Sequence, residues 1–158
     1  MVTNLKNNNI SLKSRYLAVN FIGLAMIAAI FVYAGVVEFI KWQWAPFQGF
    51  ATLPAQTESL LRYILLALAA AQYVIIKSIQ KIVLAQSREN LPQAAIVTFA
   101  LCETVAIFGL VLFLLCGNTL NFYLFMVISL GFFYLFYPKY EEWEQAMATA
   151  VSTKKKEK

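Results

Sequence analysis

An all-α membrane protein with four transmembrane helices and both termini in the cytoplasm is the fold class this sequence predicts, and three observations predict it. Of its 158 residues, 61% are hydrophobic and only 13% are charged, and the mean hydropathy is +0.66. Four apolar runs reach or approach the roughly 18 residues that a hydrocarbon core about 30 Å thick demands. The basic residues are also segregated. Lys6, Lys13 and Arg15 precede the first run, Lys77, Lys81 and Arg88 close the second, and Lys139, Lys154, Lys155, Lys156 and Lys158 follow the fourth, together 11 of the 13. Four crossings put those three segments on one side and leave Lys41 and Arg62 opposite, so the positive-inside rule makes the richer side cytoplasmic. For a bacterial source the membrane is then the inner one. The net charge of +5 reads as topology and attraction to anionic lipid rather than as a nucleic-acid footprint.

The first helix is expected at about 17–37, Leu17 to Val37, because in lipid a helix satisfies all backbone polar groups within one segment. A cleaved signal peptide is the competing reading, with Val32, Tyr33 and Ala34 as a weak small-residue cleavage site; the run exceeds the about 7–15 residues of a signal core. Trp42, Trp44, Pro46, Phe47, Phe50 and Pro54 then crowd the segment from Glu38 to Leu61. Aromatic rings beside prolines suggest a loop held in the interfacial belt, with a quinone or other ligand site as the alternative. The second helix, about 63–84, carries Lys77 and Lys81 in its final turns, where long side chains snorkel to the headgroups. The third is expected at about 94–116 and the fourth at about 120–137.

Phe122, Tyr123, Phe125, Phe132, Phe133, Tyr134, Phe136 and Tyr137 make the fourth helix strongly aromatic, and it is expected to face lipid or a partner subunit. Pro138 ends it. In the cytoplasmic tail, 139–158, Tyr140, Trp143, Met147 and Val151 recur at spacings of three and four, which outlines one face of an interfacial helix; a solvated tail is the other reading. No linker or internal repeat divides the chain, so 1–158 reads as a single integral membrane domain.

Histidine and aspartate are absent, which argues against a haem ligand, a histidine relay, a zinc hydrolase and a catalytic triad. No cofactor, metal centre or catalytic motif is therefore expected. Cys102 and Cys116 lie about 21 Å apart along one helix, beyond disulfide reach. The residue that needs an explanation is Glu103, the one charge in the run from Ala94 to Cys116. It sits about 14 Å from one end and about 20 Å from the other, where an acid costs about 2.5–3.5 kcal/mol and usually faces a partner helix, a cavity or an ion path. Counting outward from a turn at Arg88 and Glu89 brings Gln72 to the same depth, so Gln72, or else a backbone carbonyl, is the expected hydrogen-bond partner. Ala67, Ala69, Ala70 and Ala71 admit a closely packed neighbour beside it.

The hairpin of residues 63–116, with its motif Glu103, Thr104, Val105, Ala106, Ile107, Phe108, Gly109, Leu110, Val111, resembles the proteolipid subunit c of F-type and V-type rotary ATPases. That family carries one midmembrane carboxylate on the outgoing helix of a hairpin, followed by a small hydroxyl residue and, five positions on, often a tyrosine. Thr104 stands at the hydroxyl position and Phe108, without a hydroxyl, at the aromatic one. The resemblance implies an ion site formed by Glu103, Gln72, Thr104 and the Leu101 carbonyl, taking protons or sodium. The family's regularly spaced glycines are missing, since no glycine lies between Gly49 and Gly109, and duplicated members hold their acid on the fourth helix rather than the third.

Two functional expectations follow. One is a small structural or accessory subunit of a larger membrane complex, with lipid and either other membrane subunits or further copies of itself as partners, and Glu103 fastening helices together. The alternative is a subunit c-like proteolipid translocating protons or sodium through Glu103.

Overall fold

The computed structural model of the protein describes residues 2–51, 53–86 and 91–138, with side chains at 13–51, 53–82 and 91–138. The tail 139–158, with the helix expected in it, and the turn at Arg88 and Glu89 lie outside the described residues. Four helices make up the fold: α1 (Val2–Gln43), α2 (Ala55–Gln86), α3 (Leu91–Cys116) and α4 (Thr119–Phe136). The described residues contain no strand. Each helix is long and apolar enough to cross a membrane.

The four prolines, Pro46, Pro54, Pro92 and Pro138, punctuate these elements. Lacking an N–H and fixed at one φ, proline is tolerated only outside a helix or in its first turn. Pro46 follows α1, Pro138 follows α4 and Pro92 lies in the first turn of α3. Pro54 opens α2, its carbonyl accepting hydrogen bonds from the Thr57 and Glu58 N–H groups at 2.9 and 3.1 Å. No proline interrupts α1 or α2, and both outrun the apolar stretches at 17–37 and 63–84. A hydropathy window ends where the apolar residues end, whereas the backbone continues to satisfy itself by staying helical.

The α3–α4 connection consists of Gly117 and Asn118 alone. Gly117 takes φ +70° and its N–H bonds the Phe113 carbonyl at 2.7 Å, a left-handed cap on α3. Asn118 caps α4, its side-chain oxygen accepting from the Leu120 N–H at 3.1 Å. This end of the hairpin is pinned by the α1–α2 loop, in which Phe50 N–H and Ala51 N–H bond the otherwise orphaned carbonyls of Leu114 and Leu115 at 2.8 and 3.1 Å. Contact is backbone to backbone. A Cβ on Gly117 would stand 2.6 Å from the Phe47 oxygen and the Gln48 carbonyl carbon, and one on Gly49, itself at φ +86°, would stand 2.2 Å from the Leu115 oxygen.

The centre of the bundle is α3, which packs against α1, α2 and α4, most extensively on α4. At the end where α2 gives way to α3, all four helices share one cluster around Val19, Ile30, Ile76, Phe99, Cys102, Ala106, Phe133 and Phe136. Towards the α1–α2 loop it divides. Ala69 of α2 packs with Val105, Leu112 and Phe125, while Val37 of α1 packs with Phe113 and Phe122. The outer helices α1 and α2 bury 17% of their apolar windows and the inner pair 39%.

The aromatic α4 therefore does not simply face lipid or a partner. Phe122, Phe125, Phe133 and Phe136 are buried, and only the other face, with Leu120, Leu124, Val127, Tyr134 and Leu135, is exposed. Gly109 lets α4 approach, since a Cβ there would stand 2.6 Å from the Phe125 Cβ. Alongside, the buried Ser129 hydroxyl donates to the Cys102 carbonyl at 2.7 Å.

Candidate functional site

Glu103 occupies the middle of α3, half-buried, and accepts a hydrogen bond from the Tyr33 hydroxyl of α1 at 2.6 Å. That length suits a phenol donating to a carboxylate. Tyr33 reaches it because the buried positions of α1, Val19, Gly23, Ile30 and Val37, recur at spacings of four and seven, about one and two helical turns, and Tyr33 falls on that stripe between Ile30 and Val37. It packs in the clusters on both sides of this level.

Gln72 is not the partner of Glu103. It is 9% exposed, and its side-chain oxygen has no hydrogen-bond partner among the described residues. Depth agrees with the sequence reading, for Ala69 shares a cluster with Val105 and Ile76 shares one with Phe99 and Cys102, which sets Gln72 level with this turn of α3. Direction does not agree. The α3 residues packed with α2 include Val105, Phe108 and Leu112, and at about 3.6 residues per turn Glu103 points about 160° away from Val105. It shares the α1 side with Leu110 and Leu114, which pack around Val37.

The Thr104 hydroxyl does not turn to the carboxylate either. Thr104 turns its hydroxyl back to the Ala100 carbonyl at 2.7 Å, as hydroxyl residues do within helices. Leu101 packs against the four-helix cluster. Among the described residues, no group of three or more acids or cysteines is arranged to hold a metal ion.

Two further carboxylates were not singled out from the sequence, and they behave as Glu103 does. Glu38 of α1 accepts from the Tyr123 hydroxyl of α4 at 2.7 Å and from Lys41 at 3.1 Å, an exposed ion pair worth about 0–1 kcal/mol. Glu58 of α2 accepts from the side-chain amides of Asn118 and Asn121, next to and on α4, at 2.9 and 2.8 Å on the same oxygen, Oε1. Every acid among the described residues thus takes a hydrogen bond from another helix or its cap: α1 to α3, α4 to α1, and α4 to α2. The available signal was positional, since Tyr33, Tyr123 and Asn121 are polar groups within or beside apolar runs. At the opposite end Tyr137 bonds the side chain and backbone of Asn20 in α1.

Asn121, 2% exposed, is the most buried of these donors. Its replacement by alanine is expected to cost about 1–3 kcal/mol, because the Glu58 carboxylate loses one of its two amides in a half-buried setting. Denaturant titration of the detergent-solubilised chain reads this directly, and an unchanged midpoint would show that the bond contributes nothing.

No family model matches this chain, and no curated protein or solved structure shows significant similarity to it.

Proposed function

We propose that the chain is an integral membrane protein crossing the bilayer four times with both termini in the cytoplasm, in the inner membrane of a bacterial cell, and that it serves as a structural or accessory subunit of a larger membrane complex. The observation that carries this reading is the Tyr33–Glu103 bond. The one deep acid is spent on holding α1 to α3, and Glu38 and Glu58 are engaged in the same manner. Orientation rests on charge: Lys13, Arg15, Lys77 and Lys81 belong to one end of the bundle, with Lys41 and Arg62 at the other. The exposed apolar faces of α1 and α2, with Phe21, Leu24, Phe31, Leu68, Val74 and Ile75, supply surface for lipid and for neighbouring subunits.

Size analysis of the gently extracted protein tests the role. Co-migration with other membrane polypeptides is the expected result; a closed ring of identical copies would overturn it in favour of a rotor.

A proteolipid that carries protons or sodium through Glu103 is the second reading, favoured by the mid-helix position of an acid that is only half-buried and by the resemblance of the residues from Glu103 to Val111 to the subunit c motif. A hydrophobic carbodiimide separates the two, because it modifies a protonated, accessible carboxyl. Under the accessory reading Glu103 labels poorly, labels faster in Tyr33→Phe, and shows no protection by sodium. In the same reading Glu103→Gln leaves assembly intact and abolishes no ion flux. Selective labelling of the unaltered chain with protection by sodium would instead establish a carrier.

A further inference from the structure

Beside the pinned α1–α2 loop lies an open cleft of about 390 Å³, lined by Gln48, Ala51, Leu53, Pro54, Glu58 and Cys116. Its size falls within the range of small-molecule sites, about 300–1,000 Å³. The walls are fixed rather than loose. Ala51 is held to α3 through the Leu115 carbonyl, Gln48 is pressed against the Gly117 backbone, and Glu58 is held to Asn118 and Asn121.

The charge in this cleft is unbalanced. Both amides bond Oε1 of Glu58, and no described residue donates to Oε2. Arg62 stands one turn further along α2, in reach of an i,i+4 ion pair, yet its guanidinium carbon lies 5.2 Å from the centre of the Tyr63 ring. Lys41 and Glu38 form the one ion pair among the described residues. Glu58 is thus a half-buried carboxylate whose protein partners are neutral, whereas charges removed from water are ordinarily paired.

The geometry points to this cleft as a site for an ammonium group, carried by a lipid headgroup or by a free primary amine, with Glu58 as its counter-ion. A divalent cation fits less well, because calcium takes about 6–8 oxygen ligands and Glu58 is the only carboxylate among the described residues of the lining. An ammonium needs one carboxylate and a few neutral acceptors, and Gln48, whose side chain carries an amide oxygen, lines the cleft beside Glu58. Exposed Trp44 and Phe50 flank the loop, and on the membrane reading they place the cleft at headgroup level.

Cys116 lines the cleft and Cys102 is fully buried, so modification of Cys116 by methyl methanethiosulfonate, followed by intact-mass analysis, reports occupancy. With the full chain in detergent, ethanolamine and phosphatidylethanolamine are the probes, with ethylene glycol and phosphatidylglycerol as neutral and anionic counterparts. At about ten times its Kd an ammonium probe slows labelling about tenfold, since the free fraction falls as 1/(1 + [L]/Kd), and it raises the melting temperature. Protection by both ammonium probes identifies the amine itself as ligand; protection by the lipid alone identifies a headgroup site. Glu58→Gln, which retains the acceptor oxygen, abolishes protection, whereas Glu38→Gln, with the same change of charge, preserves it. Two results overturn the proposal: neither ammonium probe slows labelling or raises the melting temperature, or the counterparts protect as well as the ammonium probes do. The second comparison is made on the unaltered chain and holds even where Glu58→Gln fails to fold.

Discussion

Replacing Gly117 with alanine is expected to destabilise the chain by about 2–5 kcal/mol. About 1–2 kcal/mol comes from placing a β-carbon on a left-handed backbone, and about 1–3 kcal/mol from forcing apart two segments with no slack. Slack is missing because the added carbon would meet the Phe47 oxygen and the Gln48 carbonyl carbon at 2.6 Å, which are backbone atoms and cannot rotate away. Gly35 supplies the control: nothing lies within 4 Å of a Cβ built there, and exchanging a mid-helix glycine for alanine stabilises by about 0.5–1 kcal/mol. Denaturant midpoints of the two variants in one detergent should therefore move in opposite directions. A Gly117→Ala protein that melts with the parent would show that the α1–α2 loop does not rest on the α3–α4 turn.

The second large effect is expected at the Tyr33–Glu103 contact. Tyr33→Phe deletes the hydroxyl and leaves the carboxyl without its donor, which costs about 1–3 kcal/mol. In a Glu103→Leu background the same change should cost little, because there is no carboxyl left to strand. The resulting coupling energy should reach about 1–2 kcal/mol, inside the range found for contacting residues and above the average of about 0.6 kcal/mol for interhelical hydrogen bonds in membranes. Simple additivity of the two substitutions would mean that the bond holds nothing together, and the accessory reading would lose its main support.

The four helices were legible because each contains an apolar run that water cannot accommodate, and the end of α4 was legible in Pro138. Lengths were underread for the same reason that the runs were visible: hydropathy reports the apolar part of a helix, and α1 goes on through polar residues to Val2. Glu103 stood out as a charge without a local explanation, and its depth followed from counting. Its partner did not, because depth is one coordinate and direction another. Direction depends on which helices flank α3, and that is decided by contacts such as Gly109 against Phe125 that leave no periodic trace. The aromatic α4 illustrates the same limit. A helix apolar on every side carries no moment to show which side is inward, so Phe133, 2% exposed, and Tyr134, 86% exposed, look alike in the sequence.

The concentration of burial in α3 and α4 sets an order on biosynthesis. Ribosomes deliver α1 and α2 first, yet these helices pack mainly on α3 and α4 rather than on each other. On the membrane reading, two newly inserted spans must wait side by side in the bilayer, with Tyr33 and Glu58 unmatched and Glu38 holding only Lys41, until residues 91–136 emerge. The centre of the protein is made last. A nascent chain halted after α2 is then an orphan exposing polar groups to lipid, the kind of intermediate that membrane quality control recognises, and completion of the α3–α4 hairpin is the step that removes it from that pool.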